Sequence, residues 1–276
     1  MKKCVIVIPI YKSSPSSAEL ASFVQCYRIL YKYDIVVFTH KDVDLTIYQD
    51  SIKSNFCCKY FPKDYFSSIL GYNTLLKEYE FYKNFKEYDY MLIYQLDAWV
   101  FKDVLTYWCE QGYDYVGAPW FEQFGYHEHG KKLWKVGNGG FSLRKVCKFM
   151  QITNPHRHYK SLSEVFKSEL TTWWRFPICI LRCLGYRNTV AFFRNYYKGM
   201  NEDEYFCVEL ERFEKMRLNV PTPEKAAYFS IERSPEYLYN FLNCEVPFGC
   251  HAWERYDKTF WSEQIARSNR HLSNIC

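Results

Sequence analysis

An acidic strand end, a glycine turn, an acidic trio and a late histidine stand out along the 276 residues. Asp97 closes the apolar run 90–95 (YMLIYQ) and its short tail, which places a carboxylate at the carboxyl end of a strand, where open α/β sheets bind ligands. An Asp that caps a turn before Val100 would look the same. Gly137, Gly139 and Gly140 surround Asn138 and permit positive φ and close approach of backbone to a sugar or phosphate, although a tight turn between two strands needs no more. Glu202, Asp203 and Glu204 in NEDEYF offer a carboxylate that can take a proton from a hydroxyl within hydrogen-bond reach. Acidic residues at a helix start are also favoured by its dipole alone. His251, in FGCHAW, is a reasonable ligand for Mn²⁺, or else a structural histidine bonded to backbone. Trp120, in GAPW, presents an aromatic face on which a sugar stacks.

These residues need a scaffold, and the first hundred positions supply its pattern. Apolar runs at 5–10, 35–39, 56–61 and 90–95 alternate with helical periodicity at 18–31 and 69–85. Continuous apolar strands separated by helices predict a mainly parallel sheet covered on both faces, an α/β doubly wound architecture. Ligands in such sheets sit beyond the strand ends, which draws in Pro9, Tyr11, Thr39, His40 and Gln95 beside Asp97. A further strand is expected at 113–118 and a loop at 119–133 carrying His127 and His129. A patterned helix is expected over 201–214, and another near 261–269.

Composition narrows the classes. With 20 % aromatic and 48 % hydrophobic residues, the chain has the apolar surface that disordered proteins lack. A net charge of +5, with basic and acidic residues dispersed, is no nucleic-acid footprint. Twelve cysteines without CxxC or zinc spacing read as small buried hydrophobes in a reducing, cytoplasmic setting. The basic start MKKCVIVIPIY has an apolar run too short for a signal peptide, and no stretch is long enough to span a bilayer.

The order of YQLDAWVF, GNGGFSL, NEDEYF and FGCHAW resembles the GT-A class of nucleotide-sugar glycosyltransferases, most closely a bacterial glycosyltransferase family classed as a domain of unknown function. The resemblance covers about residues 1–165 and 200–256 and rests on four motifs in order. It implies a GT-A (Rossmann-like) fold over 1–276 as one domain, with a nucleotide-binding half at 1–100, an acceptor half at 101–276 and an insertion at about 153–199. It implies Asp203 as catalytic base of an inverting transfer and Glu202 as its partner in orienting or binding the acceptor. It places Asn73, Gln95, Asp97, Asn138, Gly139 and Gly140 around the donor, with Asp97 and His251 holding Mn²⁺ or Mg²⁺. Where the class carries a second carboxylate two residues on, this chain has Trp99.

The expected function is therefore transfer of a hexose from a nucleotide sugar, a UDP-sugar, to a glycan or lipid-linked glycan in bacterial surface-polysaccharide synthesis. Tyr11, Trp99, Trp120 and Trp253 stand beside the motifs as stacking candidates. A non-catalytic nucleotide- or carbohydrate-binding protein on the same fold is the alternative. In 170–193, Trp173, Trp174, Phe176, Ile178, Ile180 and Leu181 are interleaved with Arg175, Arg182 and Arg187. That composition fits peripheral contact with the inner face of a membrane, or equally a hydrophobic lid or core hairpin.

Overall fold

A computed structural model describes residues 3–53, 56–122 and 132–273. The strands in chain order are β1 (Cys4–Pro9), β2 (Asp34–Thr39), β3 (Cys57–Tyr60), β4 (Tyr90–Tyr94), β5 (Trp99–Val100), β6 (Tyr115–Val116), β7 (Pro119–Phe121), β8 (Leu133–Val136), β9 (Phe141–Lys145), β10 (Ser230–Ile231) and β11 (Gly249–Cys250). The main sheet runs β3-β2-β1-β4-β9-β6. Its first four strands are parallel, whereas β9 is antiparallel to both β4 and β6. The fold is mixed α/β with a mainly parallel sheet.

Alternation along the central strands divides the core into two layers. From β1 and β4, Val5, Val7, Met91 and Ile93 enter one apolar cluster, while Cys4, Ile6, Ile8, Tyr90, Leu92 and Tyr94 enter the other. Both layers are closed to solvent, so every position of β1 and β4 is buried. This accounts for strands that read as unbroken apolar runs.

Two differences from the sequence reading bear on the site. The helix expected over 69–85 is two, Ile69–Leu76 and Tyr79–Lys83, because Lys77 leaves the helical surface. Its buried ammonium donates to the carbonyls of Tyr197, Lys198 and Met200 at 3.2, 3.2 and 2.7 Å, and Arg194 pairs with the adjacent Glu78 at 2.6 Å. The helix expected over 201–214 is also not regular. Glu202–Glu204 begins as α-helix, then Tyr205–Glu209 widens to a π-turn and Leu210–Arg212 tightens to 3₁₀. Tyr205, Phe206, Cys207, Glu209 and Leu210 are all buried, more than one face of an α-helix can turn inward, and the wide turn accommodates them.

At the two ends of the segment expected as a loop, Pro119–Phe121 and Leu133–Val136 pair as the antiparallel strands β7 and β8. His127 and His129 lie outside the described residues. Cys4, Cys26, Cys109, Cys179, Cys207 and Cys250 are buried, but Cys57, Cys147 and Cys244 are exposed. Among the described residues no helix is long and apolar enough to cross a membrane.

Candidate functional site

The antiparallel entry of β9 builds the site. Because β9 runs against β4, its first residue lies at the carboxyl edge of the parallel strands, and Phe141 pairs with Tyr94. The glycine turn therefore abuts the residues that follow β4, and the Gln95 N–H donates to the Gly140 carbonyl at 2.8 Å. Asn138 takes φ of +70°, its Oδ1 accepts from Gly140 N–H at 3.0 Å, and its carbonyl accepts from the Tyr115 hydroxyl at 2.7 Å. The turn tolerates no side chain. A Cβ on Gly139 would lie 1.9 Å from Glu202 Oε1, and one on Gly140 would lie 1.9 Å from His251 Nε2.

Two other elements converge on this turn. Asp203 Oδ2 accepts from Gly139 N–H at 3.2 Å, and its Oδ1 from Glu204 N–H at 2.8 Å. Beneath it, Glu202 is buried and pairs with the fully buried Arg144 of β9 at 2.7 Å. Arg144 also donates to the Tyr82 hydroxyl at 2.8 Å and to Ser142 Oγ at 3.1 Å. Burial, and then the charge of Glu202, raises the Asp203 carboxyl to about 7. A carboxylate of that basicity is suited to accept a proton near neutral pH.

The third element comes from a small sheet ordered β10-β11-β5. β11 lies antiparallel to β5 and parallel to β10, which brings His251, just after β11, between Asp97, just before β5, and Glu232, just after β10. His251 Nε2 lies 3.2 Å from Asp97 Oδ1 and 3.1 Å from Gln95 Oε1, and Nδ1 lies 3.1 Å from Glu232 Oε1. Burial works against the imidazolium, but the Asp97 and Glu232 carboxylates outweigh it and raise His251 to about 10. Burial likewise opposes ionisation of Asp97, and His251 holds its carboxyl below the ordinary range.

Asp97 and His251, the pair expected to hold a divalent cation, meet here as an ion pair, and His251 would have to give up the proton that Asp97 and Glu232 favour before it could ligate a metal. Glu232 on Nδ1 fixes the ring with Nε2 toward Asp97, the arrangement by which a carboxylate orients a ligating imidazole. Two protein ligands suit Mg²⁺ or Mn²⁺ only where substrate phosphates complete the shell. Among the described residues no group of three or more His, Cys, Asp or Glu converges as a metal cage.

Beside Asp203 opens a cleft of about 410 Å³, lined by Trp120, Trp134, Asn201 and Glu204 among others. The Trp120 ring, expected to present a face to a sugar, is buried. It lies against Gly137, where a Cβ would come within 1.9 Å, and stacks on Trp134 with centroids 6.4 Å apart. Trp134 is the exposed member of the pair, 42 % accessible.

Several other candidates occupy different positions from those expected. Asn73 is engaged within the protein: its amide donates to Asn201 Oδ1 at 2.9 Å and its Oδ1 accepts from Glu202 N–H at 3.2 Å, which ties the acidic segment to the neighbouring helix. Glu202 is buried, with its carboxylate on Arg144 and against Gly139, rather than open to the cleft. Thr39 is fully buried, and His40 packs on Phe66 with Nδ1 accepting from Asp42 N–H at 3.3 Å. Pro9 closes β1 inside the core, so Tyr11 is the open residue at that strand end, half exposed. Trp99 and Trp253 are buried edge to face against each other and are not free to stack on a ligand.

Arg144, Glu232, Trp134 and Lys77 were absent from the sequence reading. Arg144 left one signal, a cation directly after Leu143 inside the FSLRK strand. Glu232 follows a strand of two residues, too short to show periodicity.

The chain belongs to the family described as Protein of unknown function (DUF5672), whose model matches residues 55–251. No curated protein is significantly similar in sequence. Among solved structures the chain is similar to core-mannan synthase A from Aspergillus fumigatus in its Mn/GDP form, at 10 % identity and a TM-score of 0.41, covering 74 % of this chain and 71 % of that one. It is also similar to mouse xyloside xylosyltransferase 1 in apo form, at 9 % identity and 0.43, covering 91 % and 97 %. A third likeness is to the bifunctional glycosyltransferase WbbM in apo form, at 10 % identity and 0.43, where 91 % of this chain spans 45 % of that one.

Proposed function

We propose that this protein is an inverting glycosyltransferase that moves a hexose from a nucleotide-sugar donor, a UDP-sugar, to a glycan or lipid-linked glycan in bacterial surface-polysaccharide synthesis. The observation that carries the reading is Asp203, a carboxylate raised to about 7, tethered to the glycine turn and lining a cleft. In the reaction the acceptor hydroxyl gives its proton to Asp203 while its oxygen bonds the anomeric carbon. The bond from that carbon to the diphosphate breaks, and the electron pair leaves with the diphosphate. Arg144 and Glu202 act through Asp203 as positioning residues, one holding the segment and the other raising the basicity of its neighbour.

The donor half is assigned to 1–100 and the acceptor half to 101–276. Tyr11 is the stacking surface for the base, above the strand ends at Pro9, Thr39 and His40, and Gln95 with Asn138, Gly139 and Gly140 borders the diphosphate. Asp97 and His251 would hold the Mn²⁺ or Mg²⁺, which neutralises charge on the leaving diphosphate when bound. The deciding experiment is a thermal-shift titration of UDP, GDP and CMP with and without Mn²⁺, followed by hydrolysis of a panel of nucleotide sugars. A nucleotide at a hundred times its Kd stabilises by about 2.7 kcal/mol. Binding without hydrolysis or transfer would favour a non-catalytic nucleotide-binding protein, the reading that Trp99 in place of a second carboxylate supports.

A lipid-linked acceptor would bring the enzyme to the cytoplasmic face of a membrane, and the insertion offers a surface for it. Trp173, Trp174 and Leu184 are 84 %, 65 % and 77 % exposed, and Phe176 and Leu181 about half exposed. Two of the expected membrane cations are otherwise engaged: Arg175 and Arg182 both pair with the buried Glu169. Arg187 remains at the patch, over the Tyr186 ring. Apolar insertion of indoles should therefore dominate over charge. The protein is expected to co-sediment with anionic liposomes, and Trp173→Ala with Trp174→Ala should weaken this while leaving the Glu169 pairs intact; no sedimentation of the wild type would remove the membrane from the proposal.

A further inference from the structure

The cleft beside Asp203 has two unlike walls. One is the Trp134 indole, 42 % exposed, with the buried Trp120 ring stacked on it at 6.4 Å and 26° and the ammonium of Lys135, paired with Glu211, 5.5 Å from its centroid. The other is polar and acidic, with Asn201 and Glu204 beside Asp203, while Glu122 follows β7 on the aromatic side. Lys132 answers Glu122 from the rim at 2.8 Å, but the described residues lining the cleft include three carboxylates and no Lys, Arg or His. Its volume of about 410 Å³ lies within the range of small-ligand clefts, ~300–1,000 Å³.

An aromatic platform facing hydrogen-bond acceptors has a definite ligand chemistry. The C–H face of a pyranose buries against an indole, and its hydroxyls, all donors, find carboxylate and amide oxygens opposite. A sugar bearing a carboxylate, sulfate or phosphate would set like charges together in a partly desolvated cleft, which is a device for rejecting it. Backing by Trp120 matters to the platform. Trp120 is itself buried and packed on Gly137, so the ring behind Trp134 is fixed in the core.

We propose that this cleft is the acceptor subsite, that Trp134 is its stacking platform, and that it selects a terminal pyranose carrying no anionic group. The inference rests on the glycosyltransferase reading for the name "acceptor", but the site itself is tested by binding alone. Ligand-observed saturation-transfer NMR, with UDP and Mg²⁺ present, would compare methyl glucoside, galactoside and mannoside with methyl glucuronide and galacturonide. Neutral glycosides should bind, with saturation strongest on protons of one ring face, and uronides at least about tenfold more weakly. Trp134→Ala should weaken the neutral glycosides by about tenfold or more, whereas Trp134→Phe, which keeps a ring, should retain most of the binding. Glu122→Gln with Glu204→Gln should narrow the gap between neutral and acidic sugars, a change of ratio that misfolding does not imitate. Absence of glycoside binding by the wild type, equal binding of uronides, or neutral binding unchanged in Trp134→Ala in a folded protein would each overturn the proposal. Selective binding without any transfer would leave this site standing and remove the enzymatic reading. Transfer that is indifferent to Trp134→Ala would do the reverse.

Discussion

Asp203→Asn is expected to cut glycosyl transfer by about 10²–10⁴-fold, the usual contribution of a positioned general base, while nucleotide binding stays nearly unchanged. The side chain keeps its shape, and its segment is held independently by Asn73 on Glu202 N–H and by Lys77 on the carbonyls before Asn201. A pH profile sharpens the test. Asp203 must be ionised to take a proton and its carboxyl is raised to about 7, so kcat/KM should fall about tenfold per pH unit below 7. The same residue makes an opposite statement about stability. A carboxyl raised in the folded state contributes stability that is full below the ordinary carboxylate range and lost as pH rises through about 7. Protonated Asp and Asn have the same shape and charge, so the two melting temperatures should coincide only below the ordinary carboxylate range, diverge in favour of Asp203→Asn as pH rises from there to about 7, and keep a constant gap above it. If transfer survives in the variant, the base lies elsewhere.

That residue illustrates what the sequence disclosed and what it withheld. The β1, β2 and β4 runs were legible because both of their faces are buried, and such strands need no partner to be recognised. Asp97, the Asn138–Gly140 turn, Asp203 and His251 are brought into one neighbourhood because β9 reverses direction and β5, β10 and β11 clip the late histidine beside Asp97. The reversal itself has no local signal, since the alternating Phe141–Lys145 strand reads the same in either direction. Strands of two residues leave no period to detect, which is why Glu232 went unnoticed although it fixes the His251 ring. The reading of 201–214 as a plain helix failed for a tertiary reason. Its periodicity is helical, but the core takes in Tyr205, Phe206 and Cys207 consecutively, and only a widened turn presents all three. Trp120 stood out in the sequence and Trp134 did not, because the exposure of a ring on a short strand depends on what lies beneath it, here Gly137 beneath Trp120.

Arg144→Met is expected to be the most destabilising single change around the site. The guanidinium is fully buried and the Glu202 carboxylate nearly so, and deleting one member of such a pair strands the other as an uncompensated charge, at about 3–5 kcal/mol. Glu202→Gln should be damaging for the same reason, with Arg144 left facing an amide. The double variant Arg144→Met with Glu202→Gln removes both members of the pair and should recover a substantial part of the loss, so the two single effects should exceed the double in a urea-denaturation cycle by more than about 1 kcal/mol. Recovery should stay incomplete, because the bonds from Arg144 to Tyr82 and Ser142 are lost in either background. The cycle also reads the site, since the Glu202 charge is the second cause of the raised Asp203 carboxyl. In the double variant the acid limb of the pH profile should move to lower pH, toward the ordinary carboxylate range. Additive single effects, or an unmoved limb, would mean that the Arg144–Glu202 pair neither holds the acidic segment nor tunes its neighbour.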